Sequence, residues 1–242
     1  MLGIKLVAHR GYQQRYPENT LIAHQKALEA GARFIETDVQ LSADLQPVLY
    51  HDRKLNPCTG LKGAVHDHLS DRLAKAANHE PQRLGDTFIG QTIEPLSDLV
   101  KLIEQHPQVQ AFIEVKSITI DFHGIETCYR HIIETLAPVA RQCTIISFHI
   151  PFMNYARLSG WHSIGIALRR WKDLQKPEVS AMAPEYIFAD INDLPRKVNF
   201  HDVNAELVIY EIDDPETAHS LHQRGINYIE TFAIGDMQRA CN

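Results

Sequence analysis

The sequence predicts a (β/α)8 barrel, and three observations carry that expectation. Short apolar runs of strand character begin at Leu6, Phe34, Phe112, Thr144, Ile164, Tyr186, Leu207 and Tyr228, which makes eight units. Helix-compatible segments separate them, the alternation that gives a parallel sheet covered by helices. No GxGxxG or GxxxxGK(S/T) follows any of these runs, so an open nucleotide-binding sheet loses its main support. A chain of 242 residues suits one such barrel as a single domain over 1–242.

The elements follow in order. Leu6-Val7-Ala8 is a short buried strand ending at His9-Arg10-Gly11. After a loop, Glu18-Asn19-Thr20 opens a helix, where Asn19 or Thr20 can accept a hydrogen bond from a free first-turn amide. That helix carries Leu21, Ala27 and Leu28 and stops at Gly31. Phe34–Val39 is the second strand, and Pro47–Tyr50 is a further strand-like run ending at His51-Asp52. From about 53 to 94 the periodicity weakens into an irregular inserted segment, expected to form a small cap. A helix with proline near its first turn covers Pro95–Ile103, Ala111–Lys116 is the third barrel strand, and a long helix is expected from Asp121 to Ala140. The other five strands follow, with helical segments such as Pro215–Leu221 between them.

Composition narrows the function. With 44% hydrophobic and 22% charged residues the chain can build an ample core. A net charge of −6 without basic runs gives no reason to expect nucleic-acid binding or an anionic membrane surface. No window approaches the roughly 18 apolar residues of a membrane span, and the apolar run at the N-terminus is too short for a secretory signal. Cys58, Cys128, Cys143 and Cys241 are scattered without CxxC spacing and read as reduced thiols of a cytoplasmic protein.

The chemistry concentrates at strand ends, where barrel active sites sit. Glu36 and Asp38 lie two apart on one strand and so share a face, a costly arrangement of like charges on a buried strand. His9 and Arg10 end the first strand, His51 ends the run after the second, and Glu114 and Lys116 lie late in the third. Adjacent strands are about 5 Å apart, so these seven residues can meet in one pocket. Glu36, Asp38 and Glu114 form an all-oxygen set suited to a hard divalent cation, Mg²⁺ or Ca²⁺, rather than zinc. Arg10 offers a planar fork for phosphate and Lys116 a compact charge. His9 and His51 can exchange protons near neutral pH. Together these groups describe phosphoryl transfer or phosphodiester cleavage.

Each residue also has a plain structural reading: His51 as a surface histidine, Glu114 with Lys116 as an exposed pair, Glu36 with Asp38 as partners of an amide or arginine. Their coincidence at three consecutive strand ends outweighs those readings. His66-Asp67-His68 reads as a solvated turn, Asp190, Asp193, Asp213 and Asp214 as helix caps or solvent-facing groups, and Trp161 and Trp171 as packing. No GxSxG nucleophile elbow is present, which disfavours acyl transfer.

His9-Arg10-Gly11, Pro17-Glu18-Asn19-Thr20, Glu36-Thr37-Asp38, His51-Asp52 and Glu114-Val115-Lys116, in this order and spacing, resemble the glycerophosphodiester phosphodiesterase family. The likeness is specific over about 5–116 and looser beyond, where Ile146-Ser147-Phe148 resembles the family's fourth strand. It implies a barrel with a small inserted cap and metal-dependent hydrolysis of a glycerophosphodiester to glycerol 3-phosphate and an alcohol. It further implies metal ligands at Glu36, Asp38 and Glu114, a general base and acid at His9 and His51, and phosphate-binding cations at Arg10 and Lys116. Glu18 would orient its neighbours. The chain departs from the family pattern at Asp44-Leu45, where a glycine is usual, at Tyr210 in place of tryptophan, and at Thr231-Phe232 in place of Thr-Asp. Those positions sit where the organic ends of the diester would be held. Two alternatives stand beside hydrolysis of soluble glycerophosphodiesters: a phospholipase D-like enzyme on lysolipids, and a catalytically silent barrel that binds a phosphodiester.

Overall fold

The computed structural model describes residues 3–196 and 198–241. Its strands are β1 (Lys5–Ala8), β2 (Phe34–Leu41), β3 (Pro47–Leu49), β4 (Gln110–Val115), β5 (Cys143–Ser147), β6 (Ile164–Ala167), β7 (Tyr186–Asp190), β8 (Glu206–Tyr210) and β9 (Tyr228–Thr231). The sheet runs β1-β9-β8-β7-β6-β5-β4-β2 and closes on itself through β1 and β2. All eight staves are parallel, and each coincides with one of the strand runs read from the sequence. The chain folds as a (β/α)8 barrel. β3 is not a stave: it pairs antiparallel with the far end of β2, Val39 opposite Leu49, and carries the chain back across the barrel mouth to His51.

Period-two alternation divides each strand between two cores. Side chains of Val7, Phe112, Ile146, Ala167, Phe188, Val208 and Tyr228 fill the barrel interior. The outward positions pack against the helices in a much larger cluster that includes Ile35, Ile113, Ile145, Ile187 and Ile209. The helix Leu96–Glu104 shows why these segments are helical: Leu96, Leu99, Val100 and Ile103 recur on one face and are all buried. Full burial of each such side chain contributes roughly 1.5–3 kcal/mol.

Two helix boundaries differ from the sequence expectation. The helix expected from Asp121 to Ala140 is broken into Ser117–His123 and Ile125–Leu136, followed by a 3-10 segment, Ala137–Gln142. Gly124 between the first two has φ +84°, a conformation that ends one helix and re-aims the next. The helix expected to begin at Pro95 begins at Leu96, with Pro95 in extended conformation before it. At the first helix, Leu21–Glu29, Thr20 alone is the cap, accepting from the Ala23 amide. Asn19 is drawn elsewhere. No helix among the described residues is long and apolar enough to cross a membrane.

His24, on that first helix, is completely buried and neither ring nitrogen has a hydrogen-bond partner. Burial lowers its pKa from 6.5 to about 4, so the folded protein holds it neutral. Between those two values the unfolded chain binds a proton that the folded chain excludes, and stability therefore falls as the pH drops through that window. The difference amounts to roughly 3 kcal/mol. In urea unfolding at pH 7 and pH 4, His24→Leu is expected to lose less stability than wild type by about that amount. An equal loss in both proteins would contradict this role for His24.

Candidate active site

The site grows from the first turn after β1. Arg10 and Gly11 both have positive φ, +55° and +81°. A Cβ on Gly11 would lie 2.6 Å from the backbone carbon of Ala23, so only glycine fits where this turn meets the first helix. The turn aims the Arg10 amide at Glu36 Oε2, 3.1 Å away. It also lays the guanidinium across two carboxylates: Nη1 donates to Glu18 Oε2 at 2.9 Å and Nε lies 3.1 Å from Asp38 Oδ2.

Asp38 is the hub. Lys116 Nζ stands 3.0 Å from its Oδ1 and 2.8 Å from Glu114 Oε1. Burial alone would raise the Asp38 pKa, but Lys116 and Arg10 outweigh it and hold the carboxylate far below its usual range. Asn19 grips the same residue. Its Nδ2 donates to Asp38 Oδ2 at 2.9 Å, while its Oδ1 accepts from the Asp38 amide and the Thr37 hydroxyl. Asn19 has φ +53°, a left-handed conformation that asparagine tolerates better than most residues.

Glu36 lacks such support. It is buried, burial and the neighbouring Asp38 push its pKa well above the usual carboxylate range, and its Oε1 has no hydrogen-bond partner. Glu114 is likewise raised by burial, with Lys116 opposing the shift. One oxygen from each of Glu36, Asp38 and Glu114 lies within 4.8 Å of the others, about the span of a cation with 2.1–2.4 Å ligand bonds. An orphaned buried oxygen and an ammonium already bridging the other two carboxylates show that a positive charge suits this place. The donor set is all oxygen, which fits a hard divalent cation.

His9 lies 3.6 Å from Glu36 Oε2 through Nε2 and 3.4 Å from Glu211 Oε1 through Nδ1. Its ring stacks on Phe232, centroids 4.9 Å apart and planes within 7°. Burial, then Arg10, lowers its pKa well below the ordinary value, so the imidazole is neutral at pH 7. Asp213 fixes Phe232 by accepting from the Thr231 hydroxyl and the amides of Phe232 and Ala233. His51 is held from below by Gln40, whose Nε2 donates to the carbonyls of Tyr50 and Asp52, and its Nδ1 is 2.9 Å from Asp52 Oδ1.

His9, Arg10, Glu36, His51, Glu114 and Lys116 line one pocket of about 170 Å³ at the C-terminal mouth of the barrel. Asp38, the seventh residue singled out in the sequence, lies directly behind them, bonded to Arg10 and Lys116. The opposite wall carries Ile146, Phe148, Phe188, Tyr210, Glu211 and Glu230. The segment 53–94 closes a small core of its own around Leu55, Val65, Leu73 and Ile93 and reaches back to the Arg10 loop. Glu80 accepts from the Glu18 amide at 2.6 Å, and Arg83 binds Glu80 and the carbonyls of Gln13 and Tyr16.

Sequence reasoning passed over Glu230, Glu211, Gln40 and the clamping role of Asn19. Glu230 had a usable signal: it is a glutamate late in a buried strand, the same criterion that singles out Glu36. Gln40 and Asn19 had none, because their partners lie on other segments. The remaining candidates are structural. In His66-Asp67-His68, Asp67 accepts from the Ala64 amide and His66 stacks on Phe122. Asp190 and Asp214 cap short helical segments, and Trp171 packs on Phe200.

Residues 9–231 match the model of the glycerophosphoryl diester phosphodiesterase family, and the chain belongs to that family. A glycerophosphodiester phosphodiesterase of Bacillus altitudinis is 36% identical over 146 residues, covering 60% of this chain and 58% of that protein. The match therefore spans little more than half of that relative's length. Among solved structures, the fold is similar to an Oleispira antarctica phosphodiesterase in complex with the product sn-glycerol-3-phosphate, with TM-score 0.86, 19% identity, and 98% and 96% of the two chains covered. It is also similar to a glycerophosphodiester phosphodiesterase of Agrobacterium tumefaciens, with TM-score 0.78, 21% identity, and 98% and 99% covered.

The Asn19 clamp leads to a direct expectation. Replacing a residue that orients a metal-site carboxylate typically lowers metal affinity or activity 10–100-fold. Asn19→Ala should weaken divalent-cation binding by about that factor while the fold survives, as measured by calorimetric titration with Mg²⁺ and Ca²⁺. Unchanged affinity for both ions would show that Asp38 needs no such hold.

Proposed function

We propose that the protein is a metal-dependent glycerophosphodiester phosphodiesterase, releasing sn-glycerol 3-phosphate and an alcohol. The observation that carries this reading is the convergence on one pocket of two histidines, two phosphate-complementary cations and a three-carboxylate set. Family membership supports it. Glu36, Asp38 and Glu114 would hold the ion, Mg²⁺ or Ca²⁺, which when bound supplies Lewis-acid neutralisation of the phosphate. The four unpaired cysteines are in keeping with a cytoplasmic enzyme.

The chain's own groups then divide the work. Arg10 and Lys116 present positive charge to the phosphate oxygens, and their carboxylate partners keep both side chains fixed before substrate arrives. His9, held neutral, accepts the proton of the attacking hydroxyl. His51, beside Asp52, returns a proton to the departing alkoxide. The attacking hydroxyl is that of water, or that of the substrate's glycerol with a cyclic phosphate formed first. The clasp of Glu80 and Arg83 on the Arg10 loop supports reading the segment 53–94 as a cap that steadies the phosphate-binding side.

A general acid or base contributes about 10²–10⁴-fold to rate. Release of glycerol 3-phosphate from glycerophosphocholine should therefore fall at least about 100-fold in His9→Ala and in His51→Ala, and should vanish with EDTA. Near-wild-type turnover in both variants would contradict the mechanism. Binding of the diester without turnover at any divalent ion would favour a silent binding barrel.

A further inference from the structure

Glu230 has no task in this chemistry, and its surroundings are unusual. It sits on β9, facing the pocket at 2% exposure, and its Oε1 has no hydrogen-bond partner. The two side-chain cations of the site are already engaged, Arg10 by Glu18 and Asp38, and Lys116 by Asp38 and Glu114. Glu36, which faces the same space, also keeps a bare buried oxygen. His9 lies beside them, with its Nε2 3.6 Å from Glu36 Oε2. One ligand atom from each of His9, Glu36 and Glu230 lies within 4.8 Å of the other two, and all three residues are buried.

We propose that His9, Glu36 and Glu230 form a second divalent-cation site that shares Glu36 with the Glu36/Asp38/Glu114 site. A carboxylate has two oxygens, and one bridging two ions about 3.5–4 Å apart is the usual construction of a two-metal centre. The two sites differ in chemistry. The first is all oxygen, whereas the second adds an imidazole nitrogen, which shifts preference towards Mn²⁺ or Zn²⁺ and away from Mg²⁺ or Ca²⁺. Filling it has a functional consequence, which rests on the phosphodiesterase reading of His9. An ion on that imidazole occupies a nitrogen the ring needs for proton transfer, so the second ion inhibits where the first activates. The competing arrangement is a proton shared between Glu36 and Glu230, which needs no second ion.

The test is a count of bound Mn²⁺ by equilibrium dialysis of metal-free protein, without substrate. Wild type should bind two equivalents, and Glu230→Gln one, with circular dichroism confirming the fold. If the amide variant melts early, Glu230→Leu removes the charge at similar volume and repeats the count. One equivalent in wild type, two in a folded Glu230 variant, or none in that variant would overturn the proposal. Turnover of wild type against Mn²⁺ concentration should pass through a maximum, whereas the variant should lose the descending limb. A single bound equivalent with glycerol 3-phosphate release intact removes the second site alone. Absence of release at every metal occupancy counts instead against the phosphodiesterase reading.

Discussion

The mouth of this barrel holds more buried negative charge than its side chains neutralise. Glu36, Asp38, Glu114 and Glu230 converge within one ring of strand ends, and among the described residues Arg10 and Lys116 are the lysine and arginine side chains that pair with members of this set. Burying an ionised carboxylate without a partner costs several kcal/mol, so each uncompensated one either takes a proton or requires a cation. The division is visible in the directions of the shifts: Asp38, with both cations and Asn19, is held strongly ionised, whereas Glu36, Glu114 and Glu230 are pushed towards the protonated form. On the proposed reading a divalent ion would resolve the imbalance, with Arg10 and Lys116 held by their carboxylate partners beside it.

Much of the surrounding structure serves to hold that arrangement. The glycine at 11 lets the first helix approach the turn closely enough for Asn19 to reach Asp38. β3 folds back along β2 and delivers His51, with Gln40 tying the loop beneath it. The segment 53–94, irregular in sequence, reaches the Arg10 loop through Glu80 and Arg83. Phe232 supplies the face on which His9 stacks. Leu45 takes φ +63°, where a glycine would be unstrained.

Local and periodic features were legible in the sequence. The eight staves were readable because barrel strands buried on both faces leave short apolar runs, and the clustering of Glu36, Asp38 and Glu114 because a charge inside such a run is anomalous. The split at Gly124 was missed because a long helical pattern masks one glycine whose positive φ only the tertiary path requires. The Asn19 clamp was not legible because its partner is nineteen positions away, whereas the local capping rule, which admitted Asn19 or Thr20, is met by Thr20. Glu230 repeats the logic of Glu36, a glutamate late in a buried strand, but it stands in β9 without neighbouring residues of a motif.

The protein leaves its buried carboxylates short of positive charge, which a divalent cation would supply. The thermal unfolding midpoint of metal-free protein, followed as Mg²⁺ or Ca²⁺ is added, tests it most directly. An ion bound only by the folded state stabilises by about 2.7 kcal/mol at a hundredfold excess over its dissociation constant. The midpoint should rise by several degrees and continue to climb with the logarithm of ion concentration beyond that constant. A midpoint indifferent to millimolar concentrations of both ions would contradict it.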